Sequence, residues 1–168
     1  MRVETERLII RDFQKEDYKD VFEYLSDNLV MEYIEPIFTE MQTKGFIKKY
    51  GIERKRIFAV EEKSLGKVIG HVIFHKFNEP LEYELGWILN RKFHGNGYAK
   101  EASLALFEYG FNKLHLKSIL AETVLDNKKS IATIISLGMK NSNIYKEDLP
   151  VWIITKKDYE NKKNNRIL

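Results

Sequence analysis

The chain has 168 residues, 43% of them hydrophobic and 32% charged, with no cysteine and a formal net charge of +3. That length suits one domain burying about two-thirds of its unfolded-chain surface, and the missing cysteine excludes disulfides, thiolate metal sites and a cysteine nucleophile. No apolar run approaches the ~18 residues of a membrane span, Met1 to Arg7 lacks the apolar core of a signal peptide, and the mild positive charge, much of it between Lys156 and Arg166, points only weakly to nucleic acid. A cytoplasmic protein with neither a membrane nor a nucleic-acid partner is expected.

Strands and helices alternate along the chain without internal repeat or linker. Leu8 to Arg11 reads as a strand. Asp17 to Asp27 reads as a helix with Val21, Tyr24 and Leu25 on its apolar face. Thr39-Glu40-Met41-Gln42 has the form of a capping box and opens a second helix through Phe46, Ile47 and Tyr50. Ile57 to Val60 and Val68 to Phe77 form a hairpin across Lys63 to Lys67, and Tyr83 to Leu89 is a further strand. A helix from Tyr98 to about Lys113 places Ala102, Leu106 and Tyr109 together. Ser118 to Leu125 is a strand, and Asn127 caps a helix whose face carries Ile131, Ile134, Ile135 and Gly138. Strands near 139–145 and 151–155 close the pattern. The expected fold is α/β (α+β): a single domain over 1–160 with a mixed, mostly antiparallel sheet of about seven strands and helices on both faces, followed by a basic tail, 161–168, that frays.

Between the strand ending at Leu89 and the helix starting at Tyr98 lies His94-Gly95-Asn96-Gly97. Two glycines let main chain approach a ligand closely, and the helix start beyond them offers unpaired N–H groups and a positive dipole end to an anion such as a phosphate. The same spacing also suits a plain tight turn. A dinucleotide fingerprint requires a third glycine where Lys100 stands, directly after the strand, and a P-loop requires Gly-Lys-Ser/Thr, which Lys100-Glu101 does not supply.

Four pieces in order resemble one family. Thr5-Glu6-Arg7-Leu8-Ile9-Ile10-Arg11 is similar to a T-x-R-L-x-L-R strand, and Glu84-Leu85-Gly86-Trp87 to E-[IL]-G-[YW]. His94 to Ala99 is similar to [QR]-x-x-G-x-[GA], continued by Tyr98-Ala99-Lys100-Glu101-Ala102 as G-Y-A-x-E-A. Asn127-Lys128-Lys129-Ser130 with Leu137-Gly138-Met139 is similar to N-x-x-S…L-G-[FM]. The chain therefore resembles the GNAT superfamily of acetyl-CoA-dependent N-acetyltransferases, and within it the ribosomal-protein-alanine (RimJ/RimL-type) branch. His94 departs from the usual Gln or Arg. Ile134 stands where many members carry a tyrosine that protonates the leaving thiolate.

The resemblance implies acetyl-CoA as co-substrate and no metal. The pantetheine arm would pair with the backbone of Trp87, Ile88 and Leu89, and the diphosphate would rest on His94, Gly95, Asn96, Gly97, Tyr98 and Ala99. Asn127 and Ser130 would reach the pantetheine or the sulfur, with Ser130 as proton donor in place of the missing tyrosine; for Asn127 a plain N-cap is the other reading. Without cysteine, direct transfer in a ternary complex is expected. The acceptor is a primary amine, on a protein N-terminus or a small molecule. An α-amine with a pKa near 8 is roughly a tenth neutral at pH 7 and a lysine-type amine only about once in 2,500, so the former tolerates a weak base.

Glu84 is the candidate base. Strand alternation sets Tyr83, Leu85 and Trp87 on one face and Glu84, Gly86 and Ile88 on the other, which leaves a structural Glu84 as the second reading. His71 and His75 share a strand face about 13 Å apart, too far to chelate one ion. Glu32, Tyr33 and Glu35 lie in the segment that walls the acceptor pocket in similar proteins. The competing functions are a non-catalytic CoA-binding sensor or interaction module and, more weakly, nucleic-acid binding through the basic tail. A monomer or homodimer is expected.

Overall fold

The computed structural model describes residues 1–34 and 36–165. These residues form β1 (Arg2–Glu4), β2 (Leu8–Arg11), α1 (Tyr18–Leu25), α2 (Asn28–Met31), α3 (Glu40–Phe46), β3 (Ile57–Glu62), β4 (Lys67–Lys76) and β5 (Glu82–Leu89). They continue with α4 (Tyr98–Glu108), β6 (Ser118–Glu122), α5 (Lys128–Ser136), β7 (Lys140–Lys146), β8 (Leu149–Thr155) and α6 (Lys156–Asn164). The strands make one mixed sheet in the order β1-β2-β3-β4-β5-β6-β8-β7. It has one strand more than the sequence pattern suggests, because β1 is only three residues long and pairs antiparallel with β2.

The chain falls into two compact units. The first holds Met1–His75 and Trp87–Ala102. Its hairpin of β3 and β4 pairs Glu62 with Lys67 across a turn in which Gly66 takes a positive φ. Helix α1 supplies Val21, Tyr24 and Leu25, and the π-type turn Ile47–Glu53 that follows α3 supplies Ile47, to a core that also takes in Ile57, Ala59 and Val68. Thr39 caps α3 as the sequence predicts: its hydroxyl accepts from Gln42 N–H at 3.3 Å, and the Gln42 side chain accepts from Thr39 N–H at 2.8 Å. Arg11 forks onto Asp17 at 2.8 and 2.9 Å, tying β2 to the short helical turn that leads into α1.

The second unit holds Lys76–Gly86 and Ser103–Leu168. In it β5 and β6 run parallel with Glu82, Tyr83 and Glu84 opposite Ser118, Ile119 and Leu120. That register ends at Glu84, two residues before β6 does. Two helix faces differ from their periodicity. Along α4 and the turn after it the buried set is Ala102, Ser103, Leu106 and Phe107, then Gly110 and Phe111, while Tyr109 is only half-buried. A wider π-type turn over Tyr109–Lys113 shifts the phase there. In α5, Ile134 is buried but Ile135 is 56% exposed. The helix ends at Ser136, and Leu137 takes the apolar position instead.

Residues 161–164, the start of the stretch expected to fray, continue α6. Thr155 caps it, accepting from Asp158 N–H at 3.1 Å. Tyr159 is buried, stacked on Phe111 with centroids 5.1 Å apart. The tail's remaining residues 166–168 and Glu35 lie outside the described residues. No described helix is long and apolar enough to cross a membrane.

Candidate functional site

The site begins where β5 stops. Gly70 of β4 lies so close to the strand end that a Cβ there would stand 2.4 Å from the Ile88 carbonyl oxygen and 2.8 Å from Leu89 Cα. Asn90 then turns the chain. Its N–H donates to the Ile69 carbonyl at 2.8 Å, its Oδ1 accepts from Lys92 N–H at 3.1 Å, and its Nδ2 donates to Glu23 at 3.2 Å. A single 3-10 turn, Arg91–Phe93, delivers the backbone to His94.

From there the turn is shaped by its glycines and by donors that hold its carbonyls. Gly95 and Gly97 adopt φ of +78° and +80°, where an L side chain is strained. A Cβ on Gly95 would meet nothing within 4 Å, and one on Gly97 only Arg7 Nη2 at 3.7 Å. Space therefore lies open against bare backbone. His94 Nε2 sits 2.9 Å from the Leu89 carbonyl. A carbonyl can only accept, so this nitrogen carries the proton. The Asn96 carboxamide donates to the carbonyls of Phe93 at 3.3 Å and His94 at 3.2 Å. The Asn96 carbonyl accepts from Arg7 Nη1 at 3.0 Å. Oxygens that would repel an anion are thus occupied by donors.

The first helical bond of α4 runs from Glu101 N–H to the Gly97 carbonyl at 3.0 Å, so the amides ahead of it form the open, positive end of the helix. Glu101, in that first turn, is held by Thr5 and Arg7. Its Oε1 accepts from Thr5 Oγ1 at 2.5 Å and from Arg7 N–H at 3.0 Å, and its Oε2 from Arg7 Nε at 2.7 Å. Burial works to raise its pKa, but these bonds and the guanidinium charge outweigh it and keep the carboxyl below its usual range. The Arg7 guanidinium lies 4.3 Å over the Tyr98 ring, and Tyr98 packs edge-on to Phe93. Open backbone space, inward-tied carbonyls and a helix start fit the diphosphate of a coenzyme A.

The structure thus gathers Trp87, Ile88, Leu89, His94, Gly95, Asn96, Gly97, Tyr98 and Ala99 into one stretch of the first unit. The other candidates stand in the second. Glu84, half-buried, lies opposite Leu120 at the last position where β5 pairs with β6. The Asn127 side chain accepts from Ser130 N–H at 3.1 Å and so serves as an N-cap. Ser130 occupies the first turn of α5, and Ile134, one turn on, is buried and carries no hydroxyl. In the sequence Thr5, Arg7 and Glu101 stand out only as parts of motifs. The available signal was opposite charge in two motifs 94 residues apart. His71 is fully buried, its Nδ1 bonded to the Tyr24 hydroxyl at 2.8 Å.

Residues 7–140 match the acetyltransferase (GNAT) domain family. The chain is 36% identical over 151 residues, 89% of each protein, to the uncharacterized N-acetyltransferase YnaD of Bacillus subtilis (strain 168). It is 33% identical to a GNAT-family acetyltransferase from Bacillus anthracis whose crystal structure superposes with a TM-score of 0.85, covering 94% of this chain and 99% of that one. A spermidine N-acetyltransferase from Vibrio cholerae, solved with CoA and spermine, shares the fold at a TM-score of 0.75 and 19% identity, over 93% of this chain and 99% of its own.

The matching family and relatives make this an acyl-transferring enzyme, built on a mixed sheet with flanking helices. The chain belongs to the GNAT acetyltransferase family, as a single α/β domain of that kind.

Proposed function

We propose that the enzyme moves an acetyl group from acetyl-CoA directly to a primary amine in a ternary complex, in the manner of the ribosomal-protein-alanine branch that its motifs resemble. The observation that carries this reading is the turn from His94 to Ala99. Its two positive-φ glycines face open space, and the carbonyls of Phe93, His94 and Asn96 are held by donors. Its amides lead into the start of α4 and receive the diphosphate. The backbone of Trp87, Ile88 and Leu89 takes the pantetheine arm as an added strand. The missing Cβ of Gly70 leaves room for that strand end.

Acetyl-CoA supplies the thioester. The amine nitrogen bonds to its carbonyl carbon, a backbone N–H at the strand end steadies the developing oxyanion, and the carbon–sulfur bond breaks. Glu84 takes the amine's proton, directly or through water, and the departing sulfur takes a proton through the Ser130 hydroxyl, which water reprotonates. Asn127, spent as a cap on Ser130 N–H, orders the first turn of α5. The acceptor is a protein N-terminal amine or a small amine. An α-amine suits a weak base because it is already partly neutral at pH 7, and a leaving thiol with a pKa of about 8.5, by analogy with cysteine, needs little proton assistance from position 134.

Calorimetry tests the reading. The wild-type chain should bind CoA and acetyl-CoA, and Gly97→Val should weaken that binding at least tenfold, on the order of the loss of one charge-assisted hydrogen bond. A folded wild-type protein that binds neither refutes the assignment. Thiol release over a panel of amines then identifies the acceptor.

A further inference from the structure

We propose that Arg7 is a positioning residue for coenzyme binding: it neutralises Glu101 and holds the Asn96 carbonyl, so that the glycine turn presents a net-positive face to a diphosphate. This rests on the reading of the turn given above. Glu101 lies in the first turn of α4, one turn past Gly97. A bare carboxylate there would sit at the same helix end as the ligand and oppose its charge at short range. The side chain is 19% exposed, and Arg7 Nη2 lies 2.6 Å from its Oε2.

The geometry needs a guanidinium. Nε and Nη2 engage the carboxylate while Nη1 reaches the Asn96 carbonyl, and the planar group stacks 4.3 Å from the Tyr98 ring. A lysine ammonium, a point charge with rotatable donors, does not serve a carboxylate, a carbonyl and an aromatic face at once. Thr5 Oγ1 and the Arg7 N–H fill the other carboxylate oxygen, so the Thr5–Arg7 segment before β2 is locked to the turn from the far end of the sequence. The Arg7 side chain stays 40% exposed, beside the open space over Gly97.

The test compares the dissociation constants of CoA and pantetheine, which lacks the diphosphate, on the full chain. Arg7→Ala should weaken CoA on the order of tenfold or more, the range for losing a hydrogen bond to a charged group, while pantetheine changes little. The ratio between the two ligands then collapses. Adding Glu101→Gln to Arg7→Ala should restore much of it, because the uncompensated carboxylate is gone. Arg7→Lys should fall between wild type and Arg7→Ala, and it carries the same comparison if the alanine variant does not fold. An Arg7→Ala protein that keeps the wild-type ratio, or loses both ligands equally without rescue by Glu101→Gln, overturns the proposal. Wild-type protein that binds no CoA overturns the reading of the turn as well.

Discussion

Acidification should destabilise this protein in part through His71. Its ring is wholly buried beside Phe13, Tyr24 and Phe46, with Nδ1 on the Tyr24 hydroxyl and Nε2 without a hydrogen-bond partner among the described residues. Burial alone drives its pKa from 6.5 down to about 3. The folded state therefore holds His71 neutral while the unfolded chain takes up a proton below 6.5. Stability is full above that value and falls progressively as the pH drops towards 3. At pH 5 the unfolded chain is nearly fully protonated at this site and the folded one hardly at all, a loss of about 2 kcal/mol relative to pH 7.5. Urea unfolding of wild type at the two pH values measures the total change, to which other groups also contribute. The variant Tyr24→Phe/His71→Leu removes both hydrogen-bonding partners together, which avoids stranding either one. Its loss between pH 7.5 and 5 should be smaller than that of wild type by about 2 kcal/mol. Equal losses in the two proteins would refute the argument.

Three further outcomes are expected. Gly70→Ala drives a Cβ into the Ile88 carbonyl and Leu89, so the denaturation midpoint should drop by the equivalent of about 1–3 kcal/mol and CoA affinity should fall with it; a wild-type midpoint would contradict the close approach. Thr155→Ala removes the cap of α6 and should cost about 1 kcal/mol in urea unfolding, whereas no change would mark α6 as a minor contributor. Glu84→Gln should lower kcat by roughly 10- to 100-fold with CoA affinity retained if this carboxylate is the base. Unaltered kcat with a lower melting point would make it structural.

Local chemistry made much of this molecule legible before any fold was considered. Thr39 and Gln42 announce their capping box because each partner lies within one helical turn of the other. Asn127 announces its cap, and Gly95 and Gly97 their turn, for the same reason: the interactions close over three or four residues and depend on side-chain type alone. Helical phase was less secure, since one π-type turn after Glu108 re-aims Tyr109 and the early end of α5 leaves Ile135 outside, and neither event leaves a mark in periodicity. The strand β1 escaped notice because three residues are too few to show alternation; it is made by pairing with β2.

What the chain's own order of residues determined, then, is the alternation of strands and helices and the bare-backbone turn that opens α4. Tertiary structure alone decided that Arg7 would face Glu101, that Gly70 would press on Ile88, and that His71 would be sealed against Tyr24, Phe13 and Phe46. Arg7 and Glu101, Gly70 and Ile88, and Tyr24 and His71 are separated by 94, 18 and 47 residues. Their attraction or exclusion depends on distance and dielectric, and both quantities come into being only when the sheet assembles.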